Sequence, residues 1–297
     1  GVPLKTERGN RVFPVSDKAY DIVDALFFRM KREGVSLIRA KAKEITAKDG
    51  FVTGVKTDKG FFAAPKVILA TGGMSYPVTG STGDGYRMAE KLGHTVTPLK
   101  PSLVPLETAE DCAQMMGLSL KNATLSVRDN VKNKVIFKEM GEMLFTHFGV
   151  SGPLVLEASC HLPEKGKDCR LEIDLKPGLD REQLDARLRR DFAAGGRKQL
   201  ATVLGGLMLG HLAEIFPELC GVGREIPCNQ ISAAQREAIA GALKGLVLTV
   251  RAPRPLAEAV VTRGGVSVKQ VNPGTMAGKL HTNLYFAGEM LDVDAHT

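Results

Sequence analysis

The stretch Val67–Gly73, VILATGG, constrains this chain more than any other part of it. Four aliphatic residues in a row suit a strand buried on both faces, as in a parallel sheet. The strand then runs into bare backbone, MSYPVTGSTGDG, ending at Gly85. In open α/β sheets, ligands bind beyond the carboxyl ends of the strands. Gly72 and Gly73 stand at such an end, where missing side chains let a ligand reach the main-chain amides. A tight turn requiring positive φ uses the same residues, and both readings stand for this motif taken alone.

A second segment has the same form. NLYFAGEMLDVD (283–294) is an apolar strand, then Gly288, then acids at Glu289 and Asp292. Carboxylates just past a strand can accept hydrogen bonds from ligand hydroxyls, and Gly288 leaves room for a phosphate or sugar chain. GSTGDGY (80–86) has the spacing G-x-x-G-x-G rather than G-x-G-x-x-G. It precedes a helix at about Asp84–Leu92 that Gly93 closes; its amides could hold an anion or simply enter the helix.

The texture changes between these two strand ends. Prolines at 98, 101 and 105 mark a boundary. Residues 118–175 alternate as strands around a helical GPLVLEAS, and residues 180–246 read as helices. The expectation is therefore an α/β protein with one domain made from 1–98 and 260–297, interrupted by a β plus α domain at 99–259. In the first part, Ser16 precedes the apolar spacing Ile22, Val23, Leu26, Phe27 and Met30, with Gly34 following. That predicts a helix capped by Ser16 and Gly34. VSLIRA predicts a short strand after it. AKEITAKDG, FVTGVKTDKG and FFAAPKVILA predict an antiparallel meander with Asp-Gly and Lys-Gly turns.

Composition removes several classes. No apolar run approaches the roughly 18 residues of a membrane-spanning helix. Five scattered cysteines, with no C-x-x-C, argue against a zinc site or disulfide framework and suit the reduced thiols of a cytoplasmic protein. The net charge of +7 is compatible with an anionic partner. Its carriers, such as RMKRE and RLRRD, are broken by acids and apolar residues, as on a solvated helix face.

Five segments occur in order: GNRVFPVSDKA, ATGGMSYPVTGSTGDGY, LFTHFGVSGP, VTRGGVSVKQVNPGTM and LYFAGEMLDVDAHT. Together they resemble the BaiN-like family of FAD-dependent oxidoreductases, also called YhiN-like, from near Arg11 to Thr297. The resemblance implies an incomplete Rossmann-like FAD domain with an inserted β-barrel-like and helical domain. In that family a G-x-G-x-x-G turn opens the FAD domain and a Gly-Gly-Tyr-Asn run follows the final motif. Neither is present, so the chain reads as a piece of something longer, expected to hold FAD weakly by itself. By position, the resemblance places the backbone of Ala42 at the adenine and Ala70, Thr71, Gly72 and Gly73 along the FAD. Gly288 and Glu289 would reach its diphosphate or ribityl chain, and Asp292 would lie toward the ring. Glu289 stands where wider flavoprotein families commonly have Asp.

His147 is the best titratable candidate for a proton donor, a structural histidine at a domain junction being the alternative. Arg263, Gly264 and Gly265 could offer charge and amides, or form a surface turn. His94, His161, His211 and His281 show no metal spacing. The resemblance implies hydride transfer between NAD(P)H, or oxygen as sink, and a small organic substrate. A uridine of large-subunit ribosomal RNA is the second substrate it implies, and an insert that only binds is a third reading.

Overall fold

The computed structural model describes residues 1–7, 10–163 and 168–293. It is an α/β fold whose first part opens on an antiparallel hairpin, β1 (Leu4–Glu7) and β2 (Arg11–Pro14). Helix α1 (Ala19–Arg32) follows, and its cap differs from expectation. Lys18 holds the cap position and gives no side-chain bond. Ser16 instead accepts the Lys18 amide at 3.3 Å and bonds the Asp21 carboxylate, ordering the turn before the helix. Gly34, at φ 78°, ends it as expected. The apolar spacing of α1 buries nothing: Leu26 is 60% exposed and Phe28 67%. Residues 35–40 form no strand. The β propensity of VSLIRA finds no neighbouring edge to pair with, and a strand exists only by such pairing.

The meander is present as β3 (Ala42–Lys48), β4 (Phe51–Thr57) and β5 (Gly60–Ala63), in the order β3-β4-β5. Asp49 and Gly50, at φ 50° and 80°, make the β3–β4 turn with both residues left-handed, matching the strands' twist. Strand β6 (Val67–Leu69) buries Val67 and Leu69, while Ile68 is 67% exposed, so the strand is covered on one face only. Helix α2 (Asp84–Lys91) enters from Gly83.

A ribbon joins this part to the next: β7 (Lys100–Ser102) will pair with a strand 160 residues on. The closed barrel comprises β8 (Leu106–Thr108), β9 (Ser119–Asp129), β10 (Lys134–Thr146), β11 (Gly149–Ser151), β12 (Cys169–Asp174) and β13 (Leu246–Pro253), ordered β10-β11-β8-β13-β12-β9. Alternation drives it: along β9, Ala123, Leu125 and Val127 are fully buried while the residues between them are not. Closure leaves no unpaired edge. Helix α3 (Pro153–Ser159) follows β11, and α4 (Arg181–Gly195), α5 (Leu200–Leu204), α6 (Gly210–Leu219) and α7 (Ala233–Lys244) separate β12 from β13. Asp180 and Ser232 each head a reciprocal capping box, with Gln183 on α4 and Gln235 on α7. Lys244 ties α7 to the barrel through Asp174, at 2.6 Å, and the Lys176 and Leu179 carbonyls.

After the barrel, β14 (Val261–Arg263) pairs antiparallel with β7, and β15 (Leu284–Phe286) pairs parallel with β6. Two hydrophobic cores result. One fills the barrel and its helices, from Leu106 to Val250. The other combines Ile45, Val67, Leu69, Tyr86 and Met88 with Val266, Leu284, Phe286 and Met290, from both sides of the insertion. Among the described residues no helix is long and apolar enough to cross a membrane.

Candidate functional site: two adjacent strand tips

The register Leu69↔Phe286 sets the site. Because β6 and β15 run parallel, their carboxyl ends finish side by side, and the Ala287 amide bonds the Leu69 carbonyl at 3.1 Å. Ala70–Gly73 and Gly288–Asp292 therefore leave the sheet together, although more than 200 residues separate them in sequence. Both tips turn through left-handed glycine: Gly72 at φ 73° and Gly288 at φ 77°. A side chain on Gly288 would meet no atom within 4 Å, so its main chain faces open space. Ala70 and Thr71 are exposed.

Gly73 serves a different purpose. A Cβ there would strike the Thr262 hydroxyl and come within 3.1 Å of the Glu289 carboxyl carbon. This close approach builds a buried knot. Thr262, fully buried, accepts the amides of Met74 at 2.8 Å and Ser75 at 3.1 Å, and its hydroxyl lies 2.9 Å from that of Ser75. Its own amide donates to Glu289 Oε1 at 2.8 Å. The Tyr86 hydroxyl of α2 donates to the Glu289 carbonyl at 3.4 Å; burial, with the Glu289 charge adding to it, pushes that phenol up to about 12. Glu289 thus has one carboxylate oxygen turned inward, holding β14 against both tips. Asp292 is half-buried and anchored by its amide to the Val266 carbonyl at 2.9 Å; its carboxylate has no hydrogen bond among the described residues.

Ala42 shares none of these contacts. It opens β3 opposite Thr57, the last residue of β4. A parallel bridge, Phe51↔Thr282, starts β4 beside the residues leading into β15. β4 therefore runs the same way as β15, and Ala42 lies toward the end of the sheet where the tips emerge. Gly264 and Gly265 are packing glycines: a Cβ on either would press into backbone, the Pro98 carbonyl for one and the Met290 carbonyl at 2.6 Å for the other. His147 is elsewhere, exposed in the turn between β10 and β11, edge-on to Phe148 with ring centres 5.0 Å apart. The described residues hold no cluster of three or more metal-ligating side chains. The last four residues of the closing motif, 294–297, lie outside the described residues.

Sequence reasoning missed Thr262, Ser75 and Tyr86. Thr262 sits directly before the Arg-Gly-Gly that it did single out. Its partners are 187 and 188 residues away, and no local pattern reports such a contact.

Two parallel strands carrying glycine tips, a crossover meander and a helix behind them define an α/β protein of Rossmann-like build, interrupted by a barrel. The chain belongs to the family described as HI0933-like protein Rossmann domain, whose model matches residues 1–297. This agrees with the resemblance its motifs carry. It is 29% identical over 294 residues to the 3-dehydro-bile acid delta(4,6)-reductase of Clostridium scindens, covering 97% of this chain and 70% of that protein. It is 28% identical over 286 residues to the ribosomal RNA dihydrouridine synthase of Escherichia coli, covering 93% and 67%. The enzyme of the same name from Haemophilus influenzae is 32% identical over 230 residues, covering 76% of this chain and 54% of that protein.

Proposed function

We propose that the chain acts as a flavoprotein oxidoreductase in which the paired tips of β6 and β15 hold FAD. When bound, FAD supplies two-electron hydride chemistry, and the protein's share is binding, orientation and electrostatics. The residues present fit the group. Gly288 offers an open, left-handed main chain that any larger side chain would strain and obstruct. Gly72 makes the matching turn on the neighbouring tip, with exposed Ala70 and Thr71 before it. Asp292 has a carboxylate free to accept from ligand hydroxyls or ring nitrogens. Ala42 contributes backbone at the same end of the sheet. Glu289 supports the site from behind, since its inward oxygen already binds Thr262. The observation that carries this reading is the parallel register, Leu69 opposite Phe286, from which both glycine-bearing tips leave the sheet on the same side.

Titrating the protein with FAD, read by quenching of flavin fluorescence, tests it. Gly288→Val and Gly72→Val each weaken binding about tenfold or more, measured below the thermal transition of each variant, which the strain of valine at positive φ lowers. Unchanged affinity in both variants refutes the assignment. NAD(P)H is the proposed electron donor, and an unsaturated small organic molecule the proposed substrate, on the similarity to the bile acid reductase. The +7 charge and the similarity to two ribosomal RNA dihydrouridine synthases favour a uridine in ribosomal RNA as the second reading. Acceptor-dependent NAD(P)H oxidation supports the first, and RNA binding that falls steeply with salt supports the second.

A further inference from the structure

A cleft of about 440 Å³ opens in the inserted part, between the start of β9, the residues after β12 and the loop from α5 to α6. That is within the range of roughly 300–1,000 Å³ typical of small-molecule sites. Its walls are apolar: Leu120, Leu207, Met208, Leu209 and Leu212. Among the described residues, Lys121 and Lys176 are the charged ones that line it.

Lys176 is the unexplained group. Its backbone is fixed, the amide donating to Asp174 Oδ1 at 2.8 Å and the carbonyl accepting from Lys244. The residue is half-buried, and its ammonium has no hydrogen-bond or ion-pair partner among the described residues. The carboxylate of Asp174 is already engaged by Lys244 at 2.6 Å. Burial lowers the Lys176 pKa from its ordinary value, and the like charge of Arg187 lowers it further. Helix α6 adds to the local field. It starts at Gly210, beside the cleft-lining Leu209, and no side chain caps its first amides. An anion there meets both a helix N-terminus and an uncompensated amine.

We infer that this cleft is a binding site for an amphipathic carboxylate, its apolar body against the leucines and Met208 and its carboxylate on the Lys176 ammonium. One unpaired amine over an apolar floor suits a single negative charge on a large hydrocarbon better than a phosphate, which calls for several donors and little apolar surface. Every lining residue belongs to the inserted part, so the inference does not rest on the flavin reading.

Calorimetric titration with hexadecanoate, below its micelle concentration, is the test; cholate serves as a rigid fused-ring carboxylate, so the two arms separate chain from ring acids. Saturable binding of either acid is expected. Lys176→Met should weaken it about tenfold, the usual worth of one charge-assisted hydrogen bond. Lys176→Arg should hold it within about threefold. Leu209→Trp, at a half-exposed wall position, should block it without touching the charge. The inference is overturned if neither acid binds, if Lys176→Met and Leu209→Trp both leave affinity unchanged, or if hexadecan-1-ol or inorganic phosphate binds as tightly as the acids.

Discussion

The barrel half and the strand-tip half solve the same problem in opposite ways. The barrel closes on itself, and its helices each bury a stripe: Leu184, Leu188 and Phe192 on α4, Ile239, Ala240 and Leu243 on α7. The other half has two- and three-stranded sheets, a helix α1 with no buried residue, and Ile68 facing outward from β6. It keeps a smaller core, and a few long-range polar bonds and close backbone approaches around Gly73 and Thr262 tie its separated segments together. Stability in the first region therefore rests on a large area removed from water, and in the second on a smaller core joined by specific contacts at the place where function is proposed.

Truncations measure this difference most directly. Leu171, fully buried in β12, should cost about 3–5 kcal/mol when changed to alanine, since a closed barrel cannot collapse around the cavity. Leu26→Ala on α1, at 60% exposure, should cost less than about 0.5 kcal/mol. Urea unfolding of the two variants decides it. Comparable losses would show that α1 is packed in solution and that the contrast is false.

Glu289→Ala sharpens the comparison at the knot. It leaves the Thr262 amide, on a fully buried residue, without its acceptor, at a cost of about 1–3 kcal/mol. Glu289→Gln keeps an acceptor oxygen and should recover most of that. If the alanine variant instead unfolds like the parent and loses only flavin affinity, Glu289 is a ligand rather than a brace.

The elements with strong local signals were legible before any coordinates. The meander, α2 closed by Gly93, the alternating strands and the helical character of 180–246 all follow from spacing and turn chemistry. The two strand–glycine tips were legible as a pair because they share one form. Less could be read where tertiary contact decides. Ser16 looked like a cap and instead braces the turn before the helix; VSLIRA looked like a strand and has no edge to join. β6 looked buried on both faces and is covered on one. At the site, the free role of Gly288 and the packing role of Gly73 are indistinguishable as letters. Only the position of Thr262 separates them.

A smaller expected effect than that of Leu171→Ala or Glu289→Ala lies in the core of the strand-tip half, at a residue that no motif singles out. His94 follows α2 and is 3% exposed, edge-on to Phe286 with ring centres 4.8 Å apart. Neither of its ring nitrogens has a partner among the described residues. Burial lowers its pKa, and the neighbouring His281, its ring centre 6.3 Å away, lowers it further. The folded protein then keeps His94 neutral at pH values where the unfolded chain, titrating near 6.5, has taken up a proton. Below that pH the unfolded state binds more protons, so stability falls as pH falls. A leucine fills a similar space, removes two unsatisfied nitrogens and cannot titrate. His94→Leu should therefore gain about 1 kcal/mol near neutrality and flatten the decline in stability as pH falls below about 6.5. Thermal unfolding across that pH range is the measurement. An unchanged acid decline would assign the pH dependence to other groups, and a loss of stability at pH 7 would mean that the imidazole makes a bond, through a bound water, that the strand-tip core depends on.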